Sequence, residues 1–181
     1  MLLGLEGRAA QLYFANFSGL IKPDSNFDFE KRVRRPATDP VNSVLSFCYA
    51  LLTKDILKVL LVVGLDPYRG IYHTVRPARP GLALDLAEEF RSIIADSVTI
   101  TVFNNKILAE DDFLQLGTAV VLKDLPKRTL VAAYERRMDT LVTHPIFGYK
   151  VSYRRVIEIQ ARLLMRTMSG EISKYTGFTT R

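Results

Sequence analysis

The run from Val41 to Val63 is apolar on nearly every side, and this limits what the rest of the chain can become. A helix of that kind must be enclosed by protein or by lipid. Lys54, Asp55 and Lys58 interrupt it, which rules out a membrane span and leaves a core helix with others packed around it. Its ends carry matching signals. Thr38 or Asp39 can cap the start with Pro40 in the first position, and Gly64 stops it. With 181 residues and 48% hydrophobic content, the expectation is one domain with a sizeable core rather than a disordered chain.

The flanking segments supply shorter elements. Leu2 to Phe17 reads as an amphipathic helix with Leu2, Leu5, Ala9 and Leu12 along its packed side, and Gly4 and Gly7 flank Glu6 within it. Lys22 to Ala37 is a polar loop ending in the basic string KRVRRP. Ser97 to Asn104, SVTITVFN, alternates and is rich in β-branched residues, so propensity favours a strand. Asp111 or Asp112 opens a turn, and Thr118 to Leu122 suits a small strand. Asp124 caps a helix expected to run to about Val142, and a last helix is expected from Ser152 to about Met168. In the remaining tail, Tyr175 and Phe178 are the residues to dock back.

Charge points to a polyanionic partner. Lys and Arg number 25 against 19 Asp and Glu, and the net +6 is grouped rather than scattered. The groups are Lys31, Arg32, Arg34 and Arg35; Arg69, Arg76 and Arg79; Arg136 and Arg137; and Arg154, Arg155, Arg162 and Arg166. Cys48 is alone, so no disulfide framework or cysteine-built zinc site arises within the chain, in keeping with a reducing cytoplasm. The opening MLLGLEGRAA has no basic n-region and is not a secretion signal.

The stretch HTVRPARPGLALDLAEEFR, His73 to Arg91, carries the chemistry. Pro77, Pro80 and Gly81 make a fixed connector, and a helical pattern starts at Leu82. Leu82, Leu86, Phe90 and Ile93 share one stripe, while Asp85, Glu88 and Glu89 project from the other side. Asp85 and Glu88 are three apart and can approach one point. A hinge returning His73 to them makes a mixed imidazole and carboxylate site suited to Mn²⁺ or Mg²⁺. First-turn acids also complement the helix macrodipole, and spacing alone leaves both readings open.

Five segments taken in order resemble a known family: LLGLEGRAAQLYF, RRPATDPVNSVLSFCYALL, VGLDPYRGIYH, RPGLALDLAEEFR and VSYRRVIEIQARLLMR. They are similar to the CRISPR adaptation integrases, the metal-dependent enzymes that insert new spacers, and the likeness spans nearly the whole chain. The resemblance implies a mainly α, single helical catalytic domain over residues 1–181, and a helix rather than a strand near Ser97. It implies Glu6, His73 and Asp85 as catalytic metal ligands for Mg²⁺ or Mn²⁺, with Glu88 an additional acid near the ion. Arg34, Arg35, Arg76 and Arg79 are the candidates for DNA phosphate contacts.

The implied reaction joins a prespacer 3′-hydroxyl to the leader–repeat border by transesterification. The implied partners are DNA, a small adaptation protein and a second copy of the chain, with no membrane. Relatives typically carry an N-terminal β-rich domain before the glutamate, whereas this chain begins almost at Glu6, and Ser92 stands where proline usually follows EEFR. The alternative is a non-catalytic or incomplete DNA-binding or assembly module of the same complex.

Overall fold

The computed structural model describes residues 2–73 and 77–180. Helix accounts for 56% of the chain, so the fold is mainly α with two small antiparallel sheets. Among the described residues the elements follow as α1 (Leu2–Ala15), α2 (Pro40–Val63), α3 (Gly81–Ala87), α4 (Ser97–Asn104), β1 (Phe113–Leu116), β2 (Ala119–Leu122), α5 (Asp124–Met138), β3 (Leu141–Thr143), β4 (Lys150–Ser152) and α6 (Tyr153–Met168). A π-helical segment, Arg91–Asp96, joins α3 to α4. The chain forms two compact units, Met1–Cys48 with Asp96–Ala133, and Tyr49–Ala95 with Tyr134–Arg181.

The first unit is built on an aromatic cluster. Phe14, Phe17 and Phe29 meet with ring centroids 5.1–6.3 Å apart, and Phe27 packs on Phe103 and Phe113. Asp39 caps α2, accepting from the Asn42 backbone N–H at 2.8 Å. The buried Asn42 side chain is fully used: it accepts from Val33 N–H and the Arg32 guanidinium and donates to the Lys31 carbonyl and Asp39. These bonds fasten the 31–33 segment to the start of α2. Arg32 is therefore spent on structure, with a further bond to Ser46, and leaves the basic cluster that the sequence suggested.

Ser97–Asn104 is helical, as the resemblance implied and against its β propensity. Val98, Thr99, Val102 and Phe103 are its buried residues, two pairs at four-residue spacing that make one helical face. The β1–β2 hairpin pairs Phe113 with Leu122 and Leu116 with Ala119.

In the second unit α2 ends on Gly64. Leu65 N–H bonds to the Leu60 carbonyl and Gly64 N–H to that of Leu61, with Gly64 at φ +92, the paired closure that a left-handed glycine permits. Helix α5 stops at Met138, short of the expected Val142, because Leu141–Thr143 pairs with Lys150–Ser152 as a strand. Ser152 then caps α6 by accepting from Arg155 N–H. The basic residues of α6 are largely partnered: Arg155 and Arg162 with Glu158, Arg154 with Glu135 and Asp139.

Candidate active site

The sequence just after α2 builds a loop whose backbone is fixed point by point. The Asp66 side chain accepts from Tyr68 N–H at 3.0 Å, an Asx turn. That turn aims the Pro67 carbonyl at α3, where it accepts from Leu82 N–H at 2.9 Å and Ala83 N–H at 3.3 Å, two of the donors a helix start leaves open. Gly70 and Gly81 then meet backbone to backbone. A Cβ on Gly70 would stand 2.3 Å from the His73 carbonyl oxygen, and one on Gly81 would stand 2.9 Å from Gly70 N. Neither position has room for a side chain.

This approach delivers three successive N–H groups to Asp85. Ile71 and Tyr72 donate to Oδ2 at 2.6 and 3.0 Å, and His73 donates to Oδ1 at 3.0 Å. The His73 ring adds a fourth bond, Nδ1 to Oδ1 at 2.6 Å, with the two side chains only 16% and 13% exposed. Burial pushes the Asp85 carboxyl up, but the Tyr72 N–H, the His73 ring and the N–H groups of His73 and Ile71 outweigh it, so the carboxyl stays below its usual range. An ionised Asp85 has no proton to offer, so this bond needs the hydrogen on Nδ1, and in the neutral form of the ring that arrangement leaves the lone pair on Nε2.

Helix α3 ends at Ala87, sooner than the sequence pattern suggested, so Glu88 sits in the turn beyond it. Glu88 and Asp85 consequently have different partners. Arg91 grips both Glu88 oxygens, at 2.6 and 2.8 Å, while its guanidinium lies 4.5 Å over the Tyr49 ring. The π-helical turn that follows shifts the apolar register by one: Ile94 is fully buried behind Leu82, Leu86 and Phe90, whereas the expected Ile93 is half-buried.

Glu89 turns the other way, toward the C-terminal segment. It accepts from Gln160 Nε2 at 3.1 Å, the Tyr175 hydroxyl at 2.5 Å and Phe178 N–H at 2.8 Å. Burial, reinforced by the Glu89 charge and hydrogen bond, pushes the Tyr175 phenol far up and keeps it a donor. Phe178 stacks on Phe90 with centroids 5.8 Å apart and planes at 14°. Tyr175 and Phe178 dock back as expected, but the residue that receives them was not foreseen.

Of the remaining candidates, Glu6 is exposed on α1 in the first unit, as are Arg34 and Arg35 in the loop before α2. Arg79 is half-buried in the second unit, and Arg76 lies outside the described residues. Among the described residues, no three His, Cys, Asp or Glu side chains form a ready metal cluster. Within the second unit the donor types nonetheless suit a hard divalent ion, with carboxylates at Asp85 and Glu88 and an imidazole bonded through Nδ1 to Asp85. Around His73 the loop exposes Tyr68, Ile71 and Tyr72 at 45%, 67% and 39%, next to Arg69.

A family model described as CRISPR associated protein Cas1 matches residues 1–136. The chain belongs to the Cas1 family. A Rhodospirillum rubrum protein named CRISPR-associated exonuclease Cas4/endonuclease Cas1 fusion is 50% identical over 184 residues, covering 99% of this chain and 32% of that protein. A CRISPR-associated endonuclease Cas1 of Thermus thermophilus is 43% identical, covering 99% of this chain and 54% of that one. This Cas1-family chain thus spans about a third to about half of the length of these curated relatives.

Solved structures agree. A Cas1 protein from Thermotoga maritima superposes with a TM-score of 0.85 at 30% identity, over 93% of this chain and 52% of that one. A casposase bound to integration product gives 0.85 at 28% identity, over 95% and 48%. A partial Cas6-RT-Cas1–Cas2 complex gives 0.81 at 28%, over 96% and 51%. No helix among the described residues is long and apolar enough to cross a membrane.

Proposed function

We propose that this chain is the catalytic region of a divalent-metal-dependent DNA integrase and endonuclease of CRISPR adaptation. In this reading it joins prespacer 3′-hydroxyl ends to the leader–repeat border. The observation that carries the proposal is His73, an imidazole on a preformed loop with one nitrogen locked to Asp85 and the other left to ligate. The casposase bound to integration product, at 28% identity, supports the choice of strand joining over simple hydrolysis.

In the transesterification, the 3′-oxygen forms a new bond to phosphorus and its proton passes to solvent, while the bond from phosphorus to the former 3′-oxygen breaks and that oxygen takes up a proton from solvent as a new 3′-hydroxyl. A bound Mg²⁺ or Mn²⁺ supplies charge stabilisation at phosphorus and lowers the hydroxyl's pKa. His73 would hold the ion through Nε2, with Glu6 and Glu88 contributing oxygens. Asp85 was expected to ligate directly. Its two oxygens already accept four hydrogen bonds, so we assign it the task of orienting His73. For Glu88 to take part, Arg91 must yield one of the two oxygens it holds.

Arg34, Arg35, Arg76 and Arg79 would position DNA through its phosphates, contacts that read no sequence. Tyr68 and Tyr72 would offer ring faces to bases near the reacting end. The working enzyme would include a second copy of the chain and a Cas2-type partner, the latter by analogy with the partial Cas6-RT-Cas1–Cas2 complex. Strand transfer of a labelled 3′-ended DNA into a repeat duplex, with and without Mn²⁺, tests the function. Wild type should yield branched product only with the ion, and His73→Ala should yield none. Metal-independent product, or full activity in His73→Ala, would overturn the reading.

A further inference from the structure

Glu88 lacks the support a helix would give it. It sits just past α3, in a turn whose flanking bonds are Glu88 N–H to the Asp85 carbonyl at 3.3 Å and Phe90 N–H to that of Ala87 at 2.9 Å. The next two side chains are both tied to the far end of the sequence. Glu89 is held by Gln160 on α6 and by Tyr175 and Phe178, and Phe90, fully buried, stacks on Phe178.

Gln160 is the hub of the arrangement. Buried completely, its amide nitrogen has three acceptors at 3.0–3.1 Å, Glu89, the Tyr175 hydroxyl and the Thr176 carbonyl, which its two hydrogens share. Phe178 is also seated against His144 and Tyr153, at 5.8 and 6.3 Å. All three donors to Glu89 are neutral groups. A half-buried carboxylate without a cation among these partners is a costly way to gain stability, since an apolar side chain would pack there at less expense. A directional anchor needs a carboxylate that can accept several bonds.

We infer that residues 175–178 form a clasp on Glu89, which makes Glu89 a positioning residue that fixes the Glu88 turn beside the His73 site. This inference rests on the proposed metal chemistry, because its functional meaning is that Glu88 must be held still to ligate. The C-terminal segment, far from His73 in sequence, then becomes part of the scaffold of the site. A partner that lifted the segment off would weaken the site without touching any ligand.

Three variants test this in the full chain: Tyr175→Phe, Glu89→Gln, and a stop after Gly170. Val102→Ala, in the core of the other unit, serves as a control for lost stability. Hydrogen exchange without metal should show faster exchange at residues 88–90 in all three clasp variants but not in the control. Mn²⁺ affinity, read by electron paramagnetic resonance, should fall about tenfold in the stop variant, the scale expected when a ligand loses its outer support. It should hold within about twofold in the control. Unchanged exchange at 88–90, or equal Mn²⁺ loss in clasp and control variants, overturns the clasp. If wild type binds no Mn²⁺, the metal reading falls first, and the functional role of the clasp falls with it.

Discussion

Gly70 and Gly81 touch through their backbones: a Cβ on Gly81 would lie 2.9 Å from Gly70 N and 3.0 Å from Gly70 Cα. Eleven residues apart in sequence, they set how closely the His73 loop approaches α3, and so whether three N–H groups reach Asp85. Nothing in the way of a flexible side chain can yield there, because the colliding atoms are backbone.

Gly70→Ala should therefore displace the loop rather than merely crowd it. Overpacking of this kind costs about 1–3 kcal/mol, so the protein is expected to fold with a lowered urea midpoint. Strand transfer should drop far more than stability does, because the His73 ring loses its alignment. A Gly70→Ala protein with reduced stability but full activity would show that the close approach serves packing alone.

Asp85→Asn removes the charge from a four-bond acceptor and turns an amide against N–H groups. The expected loss is about 2–3 kcal/mol, since hydrogen bonds to charged groups are the strong ones. The carboxyl's folded pKa lies below its ordinary value of about 3.9. Its contribution is then fully present above about pH 4 and is lost as pH falls through the lower, folded value. In the metal-free protein, the stability gap between wild type and Asp85→Asn should shrink as pH falls below about 4. A gap that widened below about pH 4 would contradict the assignment.

The parts of this fold legible in the sequence are those fixed by local chemistry. Asp39 with Pro40, Gly64 and Ser152 mark helix ends because a cap needs only its neighbours, and the structure uses all of them. The 97–104 helix was obscured by its β-branched content, although Val98 with Val102 and Thr99 with Phe103 already carried a helical spacing. The π-helical turn was not visible at all, because one residue of register shift leaves no compositional mark. The His73–Asp85 bond was only half legible. The residue types suggested a site, but their roles depend on a loop closed by Pro67 and two glycines. Glu89 read as surface acid because its partners come from the far end of the chain.

Cys48 should be chemically silent in the native protein. Burial pushes its thiol up to about 12, against a hydrogen bond with Thr99 that pulls the other way. The thiolate is the reactive form, so iodoacetamide at pH 8 should leave native protein unlabelled and label it fully in denaturant. Rapid native labelling would mean that this part of the first core opens readily.

DNA affinity should fall steeply with salt, and the arginines should set the slope. Each phosphate contact contributes about −0.9 to the slope of log K against log salt, so Arg34→Ala/Arg35→Ala should flatten it by roughly two units. Both residues are exposed and, among the described residues, form no ion pair, so the substitutions should leave the melting temperature unchanged. An unaltered slope would remove them from the DNA surface.

An anomalous difference map from Mn²⁺-soaked crystals is the decisive test of His73 as a metal ligand oriented by Asp85. One strong peak is expected at bonding distance, about 2.1 Å, from His73 Nε2 and from a carboxylate oxygen of Glu88 or Glu6, with Asp85 still bonded to Nδ1. A peak on the Asp85 oxygens with the imidazole turned away, or no peak near His73 at saturating Mn²⁺, would contradict it.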